Sequence, residues 1–269
     1  MIEISHVTHA FGRRRGVRGG GLTVLDDVTL SIPDGGFVAF LGPSGCGKTS
    51  LLRMLDGLLM PSSGTITVDG KRVTGPSADR AIVFQEFNLF PWRAAQRNIE
   101  FPLEVQGAGR EAYRRKAGET LGLVGLDQFG GFYPHQLSGG MKQRIGIARA
   151  LSVDPKYLLM DEPFGALDPL IREIMQIELM KLLEDARKTV VFVTHSVDEA
   201  VFLADQIVIF SARPGRVIAT LDIDIARPRW SADETVKASP EFVAYRKEIW
   251  GLLKQEVRQA IREEAVQVN

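Results

Sequence analysis

Polar and apolar residues alternate through Ile2, Ile4 and Val7, and again over residues 22–32, a period of two that predicts two antiparallel strands joined through residues 12–21. From Phe37 the rhythm changes. Short apolar runs are each followed by a glycine-rich turn or a helical pattern: FVAFL before residues 48–59, YLLMD before 169–187, and TVVFVTH before 196–204. Repeated strand-then-helix units imply a parallel sheet covered on both faces. Asp69 and Gly70, following residues 65–68, form a hairpin-type turn that belongs with the antiparallel strands. Residues 91–127 are rich in helix formers and fall between two sheet strands, so they read as an inserted helical subdomain. After Ile209 the pattern weakens into edge strands over 216–223, a polar connector over 227–240 and an amphipathic helix over 241–265.

One segment supplies chemistry directly. Gly42, Pro43, Ser44, Gly45, Cys46, Gly47, Lys48 and Thr49 fit the pattern G-x-x-x-x-G-K-[ST], between an apolar strand and a helix starting near Lys48. Glycines let the backbone curl its N–H groups around phosphate oxygens, and the helix N-terminus adds positive potential. Lys48 is expected to reach the β- and γ-phosphates of a nucleotide and Thr49 to ligate Mg2+, with Ser50 beside it in the first helical turn. Cys46 reads either as a small filler or as a thiolate favoured by the surrounding N–H groups.

Asp161 and Glu162 close an apolar strand, where alternation predicts side chains pointing in different directions and hence separate roles. Asp161 is placed to hold the hydration shell of Mg2+, and Glu162 to orient and deprotonate an attacking water. His195 ends TVVFVTH at the strand edge where α/β sheets bind ligands, favouring a γ-phosphate contact over a structural role. Gln85 ends the strand AIVF, with an amide expected to bridge Mg2+, the water and the helical insert.

Composition narrows the setting. A length of 269 residues suits one sizeable α/β core plus appended elements. Lys+Arg and Asp+Glu balance at 33 each, which argues against a bulk nucleic-acid binder. The lone Cys46 excludes an internal disulfide framework and a cysteine-based zinc site, compatible with a reducing cytosol or with mere scarcity of cysteine. The start lacks the pattern of a secretory signal, and no apolar run approaches the roughly 18 residues of a membrane span, so a membrane role needs another subunit. Residues 12–21, GRRRGVRGGG, read as a solvated hairpin tip or as an anion or lipid contact.

The run LSGGMKQR at residues 137–144 is not needed for phosphate binding within one chain, and it resembles the signature of ABC ATPases. The motif order matches that family over roughly residues 1–225: Phe11, the phosphate loop, Gln85, Leu137 to Met141, Asp161 with Glu162, Ala166-Leu167-Asp168, and His195. The resemblance implies the ABC ATPase fold: a P-loop core with a parallel sheet, an antiparallel β subdomain and an inserted α-helical subdomain over about 91–152. Residues 226–269 follow as a connector and helix. It further implies Phe11 as the adenine platform, and a head-to-tail homodimer in which Ser138, Gly139 and Gly140 of one copy face the γ-phosphate bound by the other. Asp168 is then expected to cross the interface and couple the two sites. Phe11 stands where the family often has tyrosine, and Met141 where glutamine is commoner.

Residues 84–93, FQEFNLFPWR, are aromatic for a surface segment; in the family this region receives a helix of the permease, although Phe87, Phe90 and Trp92 also read as ordinary insert core. These features and the tail (Arg227-Pro-Arg, Pro240-Glu-Phe, Glu248-Ile-Trp) resemble the nitrate/sulfonate/taurine branch of bacterial importers. The resemblance implies an ATP- and Mg2+-dependent ATPase bound peripherally at the cytoplasmic side of the inner membrane, partnered by permease subunits and indirectly by a solute-binding protein. The rival reading, a non-transport ABC ATPase acting on nucleic acid or ribosomes, is disfavoured by the short insert and single cassette.

Overall fold

The computed structural model describes residues 1–12, 21–184 and 188–267. In chain order its elements are β1 (Ile2–Phe11), β2 (Leu22–Ile32), β3 (Phe37–Leu41), α1 (Lys48–Asp56), β4 (Ser63–Val68), β5 (Lys71–Arg72), β6 (Arg80–Val83), α2 (Ala95–Val105), α3 (Arg110–Leu123), α4 (Gly139–Ser152), β7 (Tyr157–Asp161), α5 (Pro169–Glu184), β8 (Thr189–Thr194), α6 (Val197–Leu203), β9 (Gln206–Phe210), β10 (Val217–Asp222), α7 (Asp233–Ala238) and α8 (Pro240–Gln267). They fall into two compact units, Met1–Ser77 with Thr189–Asn269, and Ala78–Lys188. The expected connection through residues 12–21 lies largely outside the described residues, which omit 13–20.

In the first unit, β2, β1, β4 and β5 form an antiparallel sheet in that order. Ile2, Ile4 and Val7 are all buried, although 4 and 7 differ in parity. A register shift between Ile4 and Val7 reconciles them, with His6 at φ 51° taking up the extra residue and returning Val7 to the core side. The β4–β5 turn places Asp69 and Gly70 at φ 51° and 72°, the positive pair that a tight hairpin of matching twist requires.

The same unit contains strands β10, β9, β3 and β8 in that order, with β3 parallel to β8 and β9 and β10 antiparallel to β9. Every residue of β3 and β8 is buried, as expected for parallel strands shielded on both faces. The tail does not trail away: Phe242 and Ile249 of α8 are fully buried, and α8 packs on α6 and α7.

In the second unit β6 runs parallel to β7, while α2, α3 and α4 pack against one another. Asn98 is fully buried and grips the preceding loop, its Oδ1 accepting from the Phe90 N–H at 2.7 Å and its Nδ2 donating to Arg93 O at 2.8 Å. Element ends differ modestly from expectation. Helix α1 stops at Asp56 because Gly57 turns left-handed (φ 86°), its N–H bonding back to Met54 O. Strands β8 and β6 end before His195 and Gln85, which stand on the loops beyond them.

Candidate nucleotide site

The loop between β3 and α1 is shaped by its glycines. Gly45 and Gly47 have φ of 77° and 101°, and a Cβ on Gly47 would sit 2.6 Å from Leu25 Cδ2. Both backbone angle and packing therefore require glycine at 47. Lys48, only 6% exposed, bends back so that its Nζ donates to Gly42 O at 2.7 Å and Pro43 O at 2.9 Å. The ammonium is thereby held within the curl of the loop. Ser44 and Gly45 are exposed at its tip, and Thr49 and Ser50 are half-buried in the first turn of α1. Cys46 is fully buried, with its Sγ 3.6 Å from Lys48 Nζ, so its side chain fills space and only its backbone is positioned to meet a ligand.

Phe11 closes β1 with 47% of its surface exposed, the edge-on ring of His9 behind it at 4.8 Å between centroids. Burial holds the His9 imidazole below its ordinary pKa. His195 is exposed on the β8–α6 turn. Its neighbours fix that turn: Thr194 Oγ1 donates to Glu199 Oε2 at 2.5 Å, and Ser196 Oγ caps α6 by accepting from the Glu199 N–H.

The second unit carries the remaining candidates. Asp161 is the last residue of β7 and 3% exposed. Glu162 diverges from it through a left-handed backbone at φ 45°, not through strand alternation, because the strand has already ended. Gln85 Nε2 donates to Glu162 Oε2 at 3.2 Å, joining two residues that are 77 positions apart.

Ser138 caps α4 by accepting from the Met141 N–H at 3.2 Å, leaving the start of this 14-residue helix exposed at Ser138 and Gly139. A Cβ on Gly140 would lie 3.1 Å from Leu167 Cδ2, so the signature run packs closely on the segment leading to Asp168. Asp168 in turn accepts from the Ile171 N–H at 3.1 Å at the start of α5.

Arg149, which no sequence motif singled out, donates from α4 to Asn88 O at 2.7 Å and Phe87 O at 3.4 Å, tying the aromatic segment to the signature helix. Burial pushes its pKa down. Within that segment Phe87 and Phe90 are half-buried, Phe90 packing edge-on to Phe101 at 4.7 Å, whereas Trp92 is 72% exposed.

Among the described residues no group of three or more His, Cys, Asp or Glu could hold a metal, and no helix is long and apolar enough to cross a membrane.

The profile of the ABC transporter family matches residues 25–165. An uncharacterized ABC transporter ATP-binding protein of Methanocaldococcus jannaschii, MJ0412, is 48% identical over 261 residues, spanning 97% of this chain and 94% of that protein. A taurine import ATP-binding protein, TauB, of Rhizobium johnstonii is 46% identical over 255 residues, spanning 94% and 96%. Among solved structures, the dimeric ATP-binding cassette MJ0796 in a post-hydrolysis state bound to ADP and Pi superposes with a TM-score of 0.75 at 32% identity, covering 84% of this chain and all of that one. These likenesses bear out the expected fold and the resemblance to the branch that includes taurine importers. The chain belongs to the ABC transporter family, in which it is an ATP-binding subunit with ATPase activity.

Proposed function

We propose that this subunit powers a bacterial importer by closing as a homodimer around two ATP molecules, each held by the phosphate loop of one copy and the signature run of the other. The observation that carries this reading is the presence of two ready-made anion-binding backbone ends on one chain, the loop 42–47 leading into α1 and the Ser138 cap leading into α4. A single nucleotide site needs only the first, so a second copy gives the other its ligand. The dimeric state named for MJ0796 supports the same arrangement.

In this reading Gly42, Pro43, Ser44, Gly45, Cys46 and Gly47 form the cradle for the phosphates, in which every residue but Pro43 has a backbone N–H to offer, Lys48 turns its ammonium from the loop carbonyls to the β- and γ-oxygens, and Phe11 stacks the adenine. Ser50 supports the loop from the first turn of α1. Thr49 and Asp161, assisted by Gln85, would hold Mg2+; one hydroxyl, one carboxylate and one amide form the sparse donor set suited to an ion that keeps waters and phosphate oxygens in its shell. When bound, that ion neutralises charge on the transferred phosphoryl group.

Glu162, its carboxylate held by Gln85, takes a proton from the water whose oxygen attacks the γ-phosphorus as the bond to ADP breaks. His195 contacts the γ-phosphate, and Asp168 couples the two sites across the interface. Hydrolysis removes the group that bridges the copies, and their separation is the motion delivered to the permease. Trp92 with Phe87 and Phe90 forms the surface that receives a permease helix.

The TauB likeness supports a small sulfonate, nitrate or related anion as the imported solute, captured by a solute-binding protein that this subunit does not touch, with the subunit peripheral on the cytoplasmic side of the inner membrane. Purification of the native complex tests the reading. A polytopic membrane protein whose presence raises ATP turnover is the expected companion; co-purification with nucleic acid or ribosomes instead would contradict it.

A further inference from the structure

Six residues, 211–216, join β9 to β10, where two antiparallel strands need only a two-residue turn. The extra length folds against the outside of the phosphate loop. Gly215 is pinned to β2 by its N–H donating to Val24 O at 2.8 Å and its carbonyl accepting from the Asp26 N–H at 3.1 Å. Its Cα lies so close to the loop that an added Cβ would stand 2.0 Å from Cys46 O. Arg213 reaches the preceding peptide, its Nε donating to Gly45 O at 3.2 Å. Behind the turn, Glu256 of α8 accepts from the Ala212 N–H at 3.3 Å.

These contacts fall on two consecutive carbonyls. In a planar trans peptide the C=O and the following N–H point in opposite directions. With Gly45 O bound by Arg213 and Cys46 O against Gly215, the N–H groups of Cys46 and Gly47 are turned to the other side of the loop, where phosphate oxygens need donors. Gly45 and Gly47 are left-handed, and glycine alone would leave these peptides free to rotate.

We infer that the 212–215 turn is an outer brace of the phosphate loop, with Arg213 as a positioning residue and Glu256 behind it, so that the C-terminal helix contributes to ATP affinity. The inference rests on residues 42–50 being the ATP site. A brace that orients donors before the ligand arrives lowers the cost of binding and leaves the chemical step alone.

The test is steady-state ATPase kinetics of the full chain carrying Arg213→Ala, Arg213→Lys or Glu256→Ala. Arg213→Ala is expected to raise KM for ATP about 3- to 10-fold, the range set by one net hydrogen bond, while kcat stays within about twofold. Arg213→Lys keeps a cationic donor and should recover a large part of the loss at both low and high salt. Glu256→Ala is expected to raise KM less, and the double variant by less than the product of the single effects, since both act through one turn.

An unchanged KM in Arg213→Ala, a loss in kcat at constant KM, or effects of the two sites that multiply would overturn the inference. Should Arg213→Ala fold poorly, Arg213→Lys against Glu256→Ala decides on the same constants. Lys48→Ala separates the underlying reading: a Lys48 variant with parental ATP affinity removes the nucleotide site and the brace together, whereas a damaged Lys48 variant beside a silent Arg213→Ala removes the brace alone.

Discussion

Replacing Arg229 by methionine probes how the C-terminal segment is fastened to the nucleotide-binding unit. The side chain is 1% exposed, and its guanidinium donates to five main-chain carbonyls: Val201, Phe202 and Ala204 at the end of α6, and Ile223 and Ile225 beyond β10, at 2.7–3.2 Å. Burial, with Arg227 nearby, pushes its pKa down to about 10, so it remains a cation at neutral pH. At about 1.5 kcal/mol for each charge-assisted bond, the four N–H groups that serve these five carbonyls, two of them on Nη1, contribute roughly 6 kcal/mol, and a methionine stem returns about 2 to 3 kcal/mol by no longer burying a charge. The net loss expected is about 3 to 4 kcal/mol. Urea unfolding followed by circular dichroism should show a midpoint lower by about 1 M if the slope is near 3 kcal/mol/M. Arg229→Lys should recover less than half, because one ammonium has three donors for five acceptors. A loss below about 1 kcal/mol for Arg229→Met would show that these bonds do not fasten the segment.

Lys48→Ala should weaken ATP binding itself, measured by equilibrium titration with a fluorescent ATP analogue; parental affinity would contradict its placement in the loop. Ser138→Arg costs a helix cap, about 1 kcal/mol, so the chain should still fold and bind ATP as a monomer yet lose hydrolysis. A fully active Ser138→Arg would contradict a site shared between copies. His9 titrates at lower pH when folded than its ordinary 6.5, so on acidification the unfolded chain takes up its proton first. Stability should therefore decline as pH falls below 6.5 and level off once pH passes the folded value; His9→Gln should flatten that decline, and an unchanged pH profile would reject the assignment.

The phosphate loop was legible because an apolar strand, spaced glycines and a lysine are local features, and local geometry follows from them. The alternation of β1 was legible too, but the parity change between Ile4 and Val7 hides a bulge that shows only when their partners Leu30 and Val28 are set beside them. Glu162 reads in the sequence as the second acid of a strand end, but the strand stops at Asp161 and the direction of Glu162 is set by a left-handed φ, which side-chain alternation does not report. Asn98 and Arg149 were hidden altogether, and Arg229 stood out only as part of a tail motif, with no sign of its burial. Each binds carbonyls whose positions depend on remote packing, and a polar residue destined for burial looks in sequence like one destined for solvent. The aromatic segment was ambiguous in one dimension and is divided in three, with Phe90 packed and Trp92 exposed.

In the proposed mechanism hydrolysis requires two copies with ATP between them. Glu162→Gln keeps the shape of the side chain while removing the base, so turnover should fall by roughly 10²- to 10⁴-fold while bound ATP persists. Sedimentation of this variant with Mg-ATP should then show a stable dimer that dissociates when ATP is replaced by ADP. A variant that stays monomeric with ATP bound, alongside a parent whose turnover per copy is unaffected by dilution, would contradict the account.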